Sequence, residues 1–293
     1  MICEDEGLGA VCDGMGGHDN GEVASRLAVD VLSDRASRFA ARLREERPRK
    51  LSQVRAMAQD MVQDWTHAAN EAIHVKGGEE AAGRDRMGTT LALALFVGDF
   101  VVVAHVGDSR VHRIRGGAIE QLTADHVIVA DARREANDPR PPRKRKFVTR
   151  ALGTKASVEP DVRLLDVAPG DLFLLCSDGL SDLVTPEEMV EATASGRDRR
   201  LAVRALIELA NRRGGPDNIT VVLAEVLADD EDLDDETDVL PIAPRSGAAP
   251  EDASDRARRP SQSTLRLPGS QERGGRPPAA GDPPGRPSGR TRP

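Results

Sequence analysis

The chain has 293 residues, a formal net charge of −8 and 39% hydrophobic residues, which is enough to build the core of one large domain. No stretch reaches about 18 consecutive apolar residues, and residues 4–6 are acidic where a signal peptide needs basic ones. We therefore expect neither a membrane span nor a secretory leader and predict a cytoplasmic protein. With 2% aromatic residues, the core must be built mainly from aliphatic side chains. The cysteines are odd in number and widely spaced, which argues against disulfides and a zinc site and predicts free thiols: Cys3, Cys12 and Cys176.

Two amphipathic helices are predicted first along the chain, at residues 21–45 and 51–74. In both segments apolar residues recur about once per helical turn. The residues that mark the two apolar faces are Val23, Leu27, Val31 and Leu32, and then Met57, Met61, Trp65 and Ala69.

From Gly88 the apolar runs become short and rich in Val, Thr and Leu, which is typical of strands. Gly98-Asp99 and Gly116-Gly117 separate these runs as hairpin turns do, and the pattern predicts an antiparallel meander. Strands placed between helix pairs indicate an α+β fold. The later elements are strands predicted at 162–166, 171–176 and 218–226, and helices predicted at 186–194 and 198–213.

The last part of the chain has the composition of a disordered tail. Residues 229–238 form an acidic run, and from Arg256 onward arginine is mixed with Pro, Gly and Ser. Because this segment has too few apolar residues to offset the entropy of ordering, we predict a folded domain at 1–227 and a disordered tail at 228–293. A basic tail can contact RNA or lipid, but such runs are more often simply solvated, and no nucleic-acid partner is expected.

Four aspartates stand at predicted strand boundaries: Asp13, Asp108, Asp178 and Asp217. Each one alone is an ordinary turn residue. Together they form a set of hard oxygen ligands without a matching His and Cys set, which favours Mg²⁺ or Mn²⁺ over zinc. Two such ions can hold a phosphoryl group between them.

The motifs around these aspartates resemble, in order, those of the PP2C or PPM family of protein phosphatases. They are DGMGGH (13–18), GEVAS (21–25), MGTT (87–90), VGDSR (106–110), LTADH (122–126), TRALG (149–153), SDGLSD (177–182) and DN (217–218). The resemblance covers residues 1–227, and the DGMGGH form is similar to the bacterial branch. It implies a four-layer α-β-β-α sandwich, with two antiparallel sheets flanked by helix pairs and metal ions in a cleft at one edge.

The resemblance also implies metal-dependent hydrolysis of phosphoserine and phosphothreonine by a water that two Mn²⁺ or Mg²⁺ ions activate. Asp13 would bridge these ions, the carbonyl of Gly14 would bind the first, and Asp178 and Asp217 would bind the second. Asp108 and Asp182 would form a third, weaker site with Asp178.

His18 is the last residue of the DGMGGH motif and has two candidate roles. It either protonates the leaving oxygen or hydrogen-bonds a metal-bound water. The substrate-binding residues are not identified. Thr89, Thr90, Ser109 and Arg110 are expected to fix strand ends and carboxylate orientation. The implied partners are phosphoproteins that are substrates of serine/threonine kinases, and the chain is expected to be a monomer.

The chain departs from the family pattern at its beginning and in one loop. The family carries an Arg and an Asn-Glu-Asp sequence before the first motif, and residues 4–6 lie where it has the hairpin that leads to Asp13. Either the true start codon lies upstream of Met1, or the chain is truncated and binds metal and phosphate weakly. Residues 127–148 correspond to a variable flap, whose basic cluster either recruits acidic phosphoproteins or is a solvated loop: Arg140, Arg143, Lys144, Arg145 and Lys146.

Three functions from different classes therefore remain open. An active phosphatase is favoured by the aspartates at 13, 108, 178 and 217. A catalytically weak pseudophosphatase that acts as a binding module is suggested by the missing first motif. A di-metal hydrolase of small phosphoesters is the third hypothesis.

Overall fold

The computed structural model describes residues 1–16, 18–45, 50–80, 87–131, 144–194 and 198–228. Its elements belong to one compact unit, and the predicted tail lies outside the described residues from 229 onward. The helices are α1 (His18–Glu45), α2 (Leu51–Glu80), α3 (Asp178–Ser181), α4 (Pro186–Ala192) and α5 (Arg199–Arg212). The strands are β1 (Ile2–Cys3), β2 (Leu8–Val11), β3 (Gly14–Met15), β4 (Gly88–Thr89), β5 (Leu91–Val97), β6 (Phe100–Val106), β7 (Arg110–Arg115), β8 (Ala118–Gln121), β9 (Val127–Asp131), β10 (Lys144–Val148), β11 (Asp161–Asp166), β12 (Leu172–Cys176) and β13 (Val221–Glu225).

Two antiparallel sheets form the centre of the fold. The first sheet has the strand order β1-β2-β5-β6-β11, and the second has the order β13-β12-β7-β8. Two short pairs, β3 with β4 and β10 with β9, lie outside these sheets. The predicted hairpin at the start of the chain is confirmed, because β1 and β2 pair around a 3₁₀ turn at Glu4–Glu6.

The first sheet is buried on both faces because its side chains alternate between two cores. Along β5, Leu91, Leu93 and Leu95 pack in the core that contains α1 and α2. Ala92 and Ala94 alternate with them and pack in the core between the two sheets. The first sheet thus lies between the helix layer and the second sheet and packs against both.

The second sheet repeats this alternation on β12. Phe173 and Leu175 face the first sheet, whereas Leu174 and Cys176 pack with residues of α3, α4 and α5. The order of layers is therefore helices, first sheet, second sheet and helices. This confirms the predicted four-layer α-β-β-α sandwich.

Aliphatic residues form most of the core, as the composition predicted. The few aromatic residues lie where layers or helices meet. Phe39 and Trp65 join α1 to α2 edge-to-face with ring centroids 5.7 Å apart, and Phe96 and Phe173 join the two sheets at 5.1 Å. The three cysteines are free, which confirms the predicted thiols.

The predicted apolar face of α1 coincides with the buried one at Leu32 but differs from it by one residue in the preceding turns. Ala24, Ala28 and Leu32 are fully buried, whereas Val23 and Leu27 are only partly buried at the edge of the core. The short alanine side chains allow the helix backbone to approach the sheet closely, which larger residues at these positions would prevent. The large apolar residues Val23 and Leu27 therefore mark the edge of the interface between α1 and the sheet, and alanines lie at its centre.

The prediction of one continuous meander was wrong. β5 and β6 form a hairpin in the first sheet, but β7 and β8 form a hairpin in the second. The chain changes sheet at Gly107, Asp108 and Ser109, where Gly107 has a φ of +107°. This crossing places Asp108 at the boundary between the two sheets.

Candidate metal centre

Asp13 follows β2 and is fixed by its main chain. Its N–H donates a hydrogen bond to Oγ1 of Thr90 at 3.0 Å. Its carbonyl oxygen accepts hydrogen bonds from the Thr90 N–H at 2.8 Å and from Oγ1 of Thr89 at 2.9 Å. The two threonines thus hold the backbone of Asp13, as the sequence predicted for them.

Asp108 lies at the crossing between the sheets and is almost fully buried. The next residue, Ser109, shares a hydrogen bond of 2.6 Å with Thr90, which also holds Asp13. Arg110 forms a bidentate ion pair with Asp125, with N–O distances of 2.9 and 2.7 Å. Ser109 and Arg110 therefore anchor this loop, in agreement with their predicted positioning role.

Asp178 and Asp217 are brought together by contacts between the ends of β12 and β13. Asp178 begins α3, and Oγ of the preceding Ser177 donates a hydrogen bond to the carbonyl oxygen of Asn218 at 3.1 Å. A Cβ on Gly179 would collide with that same carbonyl oxygen. Since only glycine permits this approach, the two loops stay in contact, and the Asn218 N–H donates to Oδ1 of Asp217 at 2.8 Å.

The four aspartates are electrostatically coupled. The pKa of Asp13 is raised to about 7, first by burial and then by the negative charges of Asp178, Asp217 and Asp108. The pKa of Asp178 is also raised, by burial first and then mainly by Asp108. The negative charges of Asp108, Asp178 and Asp217 thus all act on Asp13, which is partly buried, whereas Asp217 itself is exposed.

This arrangement fits a divalent cation. Oδ1 of Asp178 is buried and has no hydrogen-bond partner in the described part of the protein. An orphaned carboxylate oxygen among like charges is costly unless a cation compensates it. The oxygen-only donor set matches the preference of Mg²⁺ and Mn²⁺.

Lys146 on β10 is a member of the site that the sequence did not identify. Its Nζ donates to Oδ2 of Asp108 at 3.0 Å and to Oδ1 of Asp182 at 3.3 Å. Sequence analysis counted Lys146 only as part of the basic flap cluster. Its neighbour Arg145 is exposed, as expected for a solvated loop.

The remaining members of the predicted site and flap are only partly described. His18 begins α1, but its side chain lies outside the described residues, and so do Arg140, Arg143 and the side chain of Lys144. Gly14 lies in β3, and a Cβ on it would collide with the carbonyl oxygen of Gly21 in α1. The start of α1 therefore packs directly on the residue whose carbonyl is a predicted metal ligand.

A second group of side chains with metal-ligand chemistry was not predicted and consists of His105, His126 and Asp161. The Gly107 N–H donates to Nδ1 of His126 at 3.1 Å, so the ring proton lies on Nε2, which is 3.2 Å from Oδ2 of Asp161. Both ring nitrogens of His126 are thus engaged, Nδ1 as an acceptor and Nε2 as a donor. Burial lowers the pKa of His105 to about 4, with a further contribution from His126. This group holds the loop that precedes Asp108.

Comparison with known proteins identifies the family of this fold and site. The family model described as protein phosphatase 2C matches residues 3–208. The chain therefore belongs to the protein phosphatase 2C family, which confirms the resemblance seen in the motifs. No helix in the described part of the chain has the length and apolar character needed to cross a membrane.

Bacterial serine/threonine phosphatases are among the similar proteins. The chain is 38% identical over 224 residues to the serine/threonine protein phosphatase PstP of Mycobacterium tuberculosis, a match that covers 74% of this chain and 40% of PstP. It is 37% identical over 223 residues to the serine/threonine phosphatase stp of Listeria monocytogenes, covering 73% of this chain and 82% of that protein. The chain thus spans less than half of PstP but most of the Listeria relative.

Solved structures agree with the fold. The catalytic domain of PstP in complex with two manganese ions matches with a TM-score of 0.59 and 33% identity, covering 75% of this chain and 88% of that one. PppA of Pseudomonas aeruginosa matches with a TM-score of 0.59 and 31% identity, covering 77% and 89%. Both neighbours support the predicted α+β class, and the PstP structure supports manganese as a metal of the family.

Proposed function

We propose that this chain hydrolyses phosphoserine and phosphothreonine in proteins with a metal-activated water. The observation that carries the proposal is the cluster of Asp13, Asp108, Asp178 and Asp217 at four strand ends. Burial, followed by the charges of the other three aspartates, raises the pKa of Asp13 to about 7, and Oδ1 of Asp178 is buried without a hydrogen-bond partner in the described part of the protein. Such a cluster destabilises the metal-free protein, and cation binding is the function that explains it.

The metal ligands we assign are those that the motifs predicted. Asp13, the carbonyl of Gly14, Asp178 and Asp217 would hold two core ions, and Asp108 with Asp182 would contribute to a third site near Asp178. When bound, Mn²⁺ or Mg²⁺ supplies Lewis-acid activation of a water and of the phosphoryl oxygens.

The residues of the chain supply positioning and charge. The Thr90 hydroxyl links Asp13 to Ser109, so two loops from different sheets hold their carboxylates in one fixed relation. His18 at the start of α1 would either donate a proton to the leaving oxygen or hydrogen-bond the attacking water. The repulsion among the aspartates is present before any ligand binds, so the site is preorganised for positive charge.

The substrate class rests on the relatives. PstP and the Listeria phosphatase are both named serine/threonine phosphatases. We therefore assign proteins phosphorylated by serine/threonine kinases as substrates of this chain. The pseudophosphatase alternative has no specific support from these relatives.

The test is phosphate release from one peptide in phosphothreonine, phosphoserine and phosphotyrosine forms, with p-nitrophenyl phosphate as a small ester. We expect hydrolysis of the first two with Mn²⁺ or Mg²⁺ and its loss with EDTA. Turnover without metal would contradict the metal mechanism. Turnover restricted to the small ester would favour the small-phosphoester hydrolase, and no turnover at saturating Mn²⁺ would favour the pseudophosphatase.

A further inference from the structure

The hairpin of β9 and β10 places one lysine toward the aspartates. On β10, Lys146 and Val148 are half-buried, whereas Arg145 and Phe147 are exposed. This alternation is the period of a strand, so Lys146 points inward because of its position in the strand. Arg145 next to it carries the same charge and points to solvent.

The ammonium group of Lys146 bridges two carboxylates that belong to different loops. Its Nζ is 3.0 Å from Asp108 and 3.3 Å from Asp182, and the side chain of Asp108 is only 6% exposed. A carboxylate this deeply buried needs a compensating cation. The ammonium group supplies one charge to two carboxylates, and a divalent ion held by the same oxygens would supply two.

We propose that Lys146 is a built-in cation that occupies the third-metal position formed by Asp108 and Asp182, so that a third Mn²⁺ or Mg²⁺ binds only after Lys146 leaves. This inference rests on the proposed function, since it takes Asp108 and Asp182 as metal ligands. Because Lys146 occupies this position, the third site binds a metal ion more weakly than Asp108 and Asp182 would without the lysine. The two core ions, assigned to Asp13, Asp178 and Asp217, do not require Lys146 to move.

The size of the effect follows from competition. The apparent affinity of a site is reduced by the fraction of molecules in which it is accessible. If Lys146 is engaged in about nine molecules of ten, its removal tightens the third site about tenfold. Replacement by methionine keeps the length of the side chain and removes its charge, and glutamine serves as a second neutral replacement.

The experiment is a Mn²⁺ titration of the full chain, with free Mn²⁺ followed by electron paramagnetic resonance. The variants are Lys146→Met, Lys146→Gln and, as the matched control, Arg145→Met. We expect the parent and the control to bind two ions tightly and a third weakly. Both Lys146 variants should bind the third about tenfold more tightly with the first two unchanged. Circular dichroism establishes that each variant is folded. If only one of the two neutral replacements folds, that variant alone is enough for the test.

Three results would overturn the proposal. The first is a third-ion affinity in folded Lys146 variants equal to that of the parent. The second is an equal gain at all sites, which would indicate a general charge effect. The third is a gain that persists when Asp182→Asn is added to Lys146→Met, since the extra ion would then bind elsewhere. Failure of the parent to bind any Mn²⁺ would refute the proposed function itself, and this outcome is distinct from the other three.

Discussion

Asp13 carries the largest electrostatic cost among the four aspartates. Its pKa is raised to about 7, by burial first and then by the charges of Asp178, Asp217 and Asp108. Between about pH 4 and pH 7, the carboxyl of Asp13 therefore keeps its proton in the folded protein, whereas in the unfolded chain, where its pKa is ordinary, the proton has been released. The contribution of Asp13 to the free energy of unfolding is unfavourable above about pH 7 and fades as the pH falls toward 4.

Asp13→Asn should therefore stabilise the metal-free protein while removing a metal ligand. In EDTA at about pH 8, we expect the Tm of the variant to exceed that of the parent, by about 2–4 °C per kcal/mol of relieved repulsion. At about pH 4, where Asp13 is protonated in the fold, the two Tm values should converge. Saturating Mn²⁺ should reverse the order, since only the parent keeps the carboxylate that we assign to the metal ions. Calorimetry across this pH range checks the prediction, and a variant no more stable at the higher pH would contradict it.

At this scale the sequence predicted the aspartates because each one stands at the boundary of an apolar strand and in a recognisable motif: Asp13, Asp108 and Asp178 after a strand, and Asp217 before one. It did not predict Lys146, which is one of several basic residues in a short segment. Its contact with Asp108 and Asp182 depends on how the hairpin lies against two distant loops. His105 and His126 were missed for the same reason, since strand pairing brings them together with Asp161.

At the scale of the elements, α1 and β3 come into close contact through two glycines, Gly21 and Gly14. A Cβ added to Gly21 would lie 2.8 Å from the carbonyl atoms of Gly14, so the first turn of the helix would have to shift. Gly78 in α2 provides the matched control, because a Cβ there would have nothing within 4 Å. Both residues are helical glycines, and only one supports the site.

We predict that Gly21→Ala weakens Mn²⁺ binding and turnover by about 10–100-fold, the range typical for loss of a supporting contact around a metal site. It removes no side-chain ligand, so the effect would come through the carbonyl of Gly14. Gly78→Ala should leave binding unchanged and stabilise the helix by up to about 1 kcal/mol. Isothermal titration with Mn²⁺ on both variants decides the matter. Equal affinities for the two would show that the contact with α1 does not position Gly14.

Element types followed from periodicity, but their assignment to layers did not. The hairpins β5-β6 and β7-β8 were correctly predicted from their turns. Whether the second hairpin continues the first sheet depends on the backbone turn at Gly107, which periodicity does not encode. Likewise, Ala24 and Ala28 were not predicted as the centre of the buried face because alanine is a weak hydrophobic signal.

At the scale of the whole molecule, the four layers are closed by residues that precede the predicted tail. β13 ends at Glu225, and the Val226 N–H and carbonyl oxygen pair with Asp171 and Gly170. In the part of the chain that the structure describes, all strands of the two sheets and all residues assigned to the site thus lie before residue 229. The acidic run and the Arg-rich, Pro-rich segment add few apolar side chains to any core.

Ending the chain after Ala228 should therefore leave both stability and catalysis unchanged. We expect the Tm to stay within about 2 °C of that of the full chain, less than the shift produced by 1 kcal/mol. The kcat/KM on a phosphothreonine peptide should also match. Differential scanning calorimetry and initial rates on paired preparations provide the comparison. A marked fall in either quantity would mean that the tail contacts the domain.

The central claim is that the aspartates form one metal centre that hydrolyses phosphoprotein. The most direct test measures bound Mn²⁺ and turnover of a phosphothreonine peptide in the same titration, for the parent, Asp178→Asn and Asp217→Asn. The account predicts that turnover in the parent rises with Mn²⁺ occupancy. Both variants should lose about 100-fold or more in turnover at limiting metal while keeping the parental circular dichroism spectrum. Turnover that persists in EDTA, or folded variants that bind Mn²⁺ and turn over like the parent, would contradict it.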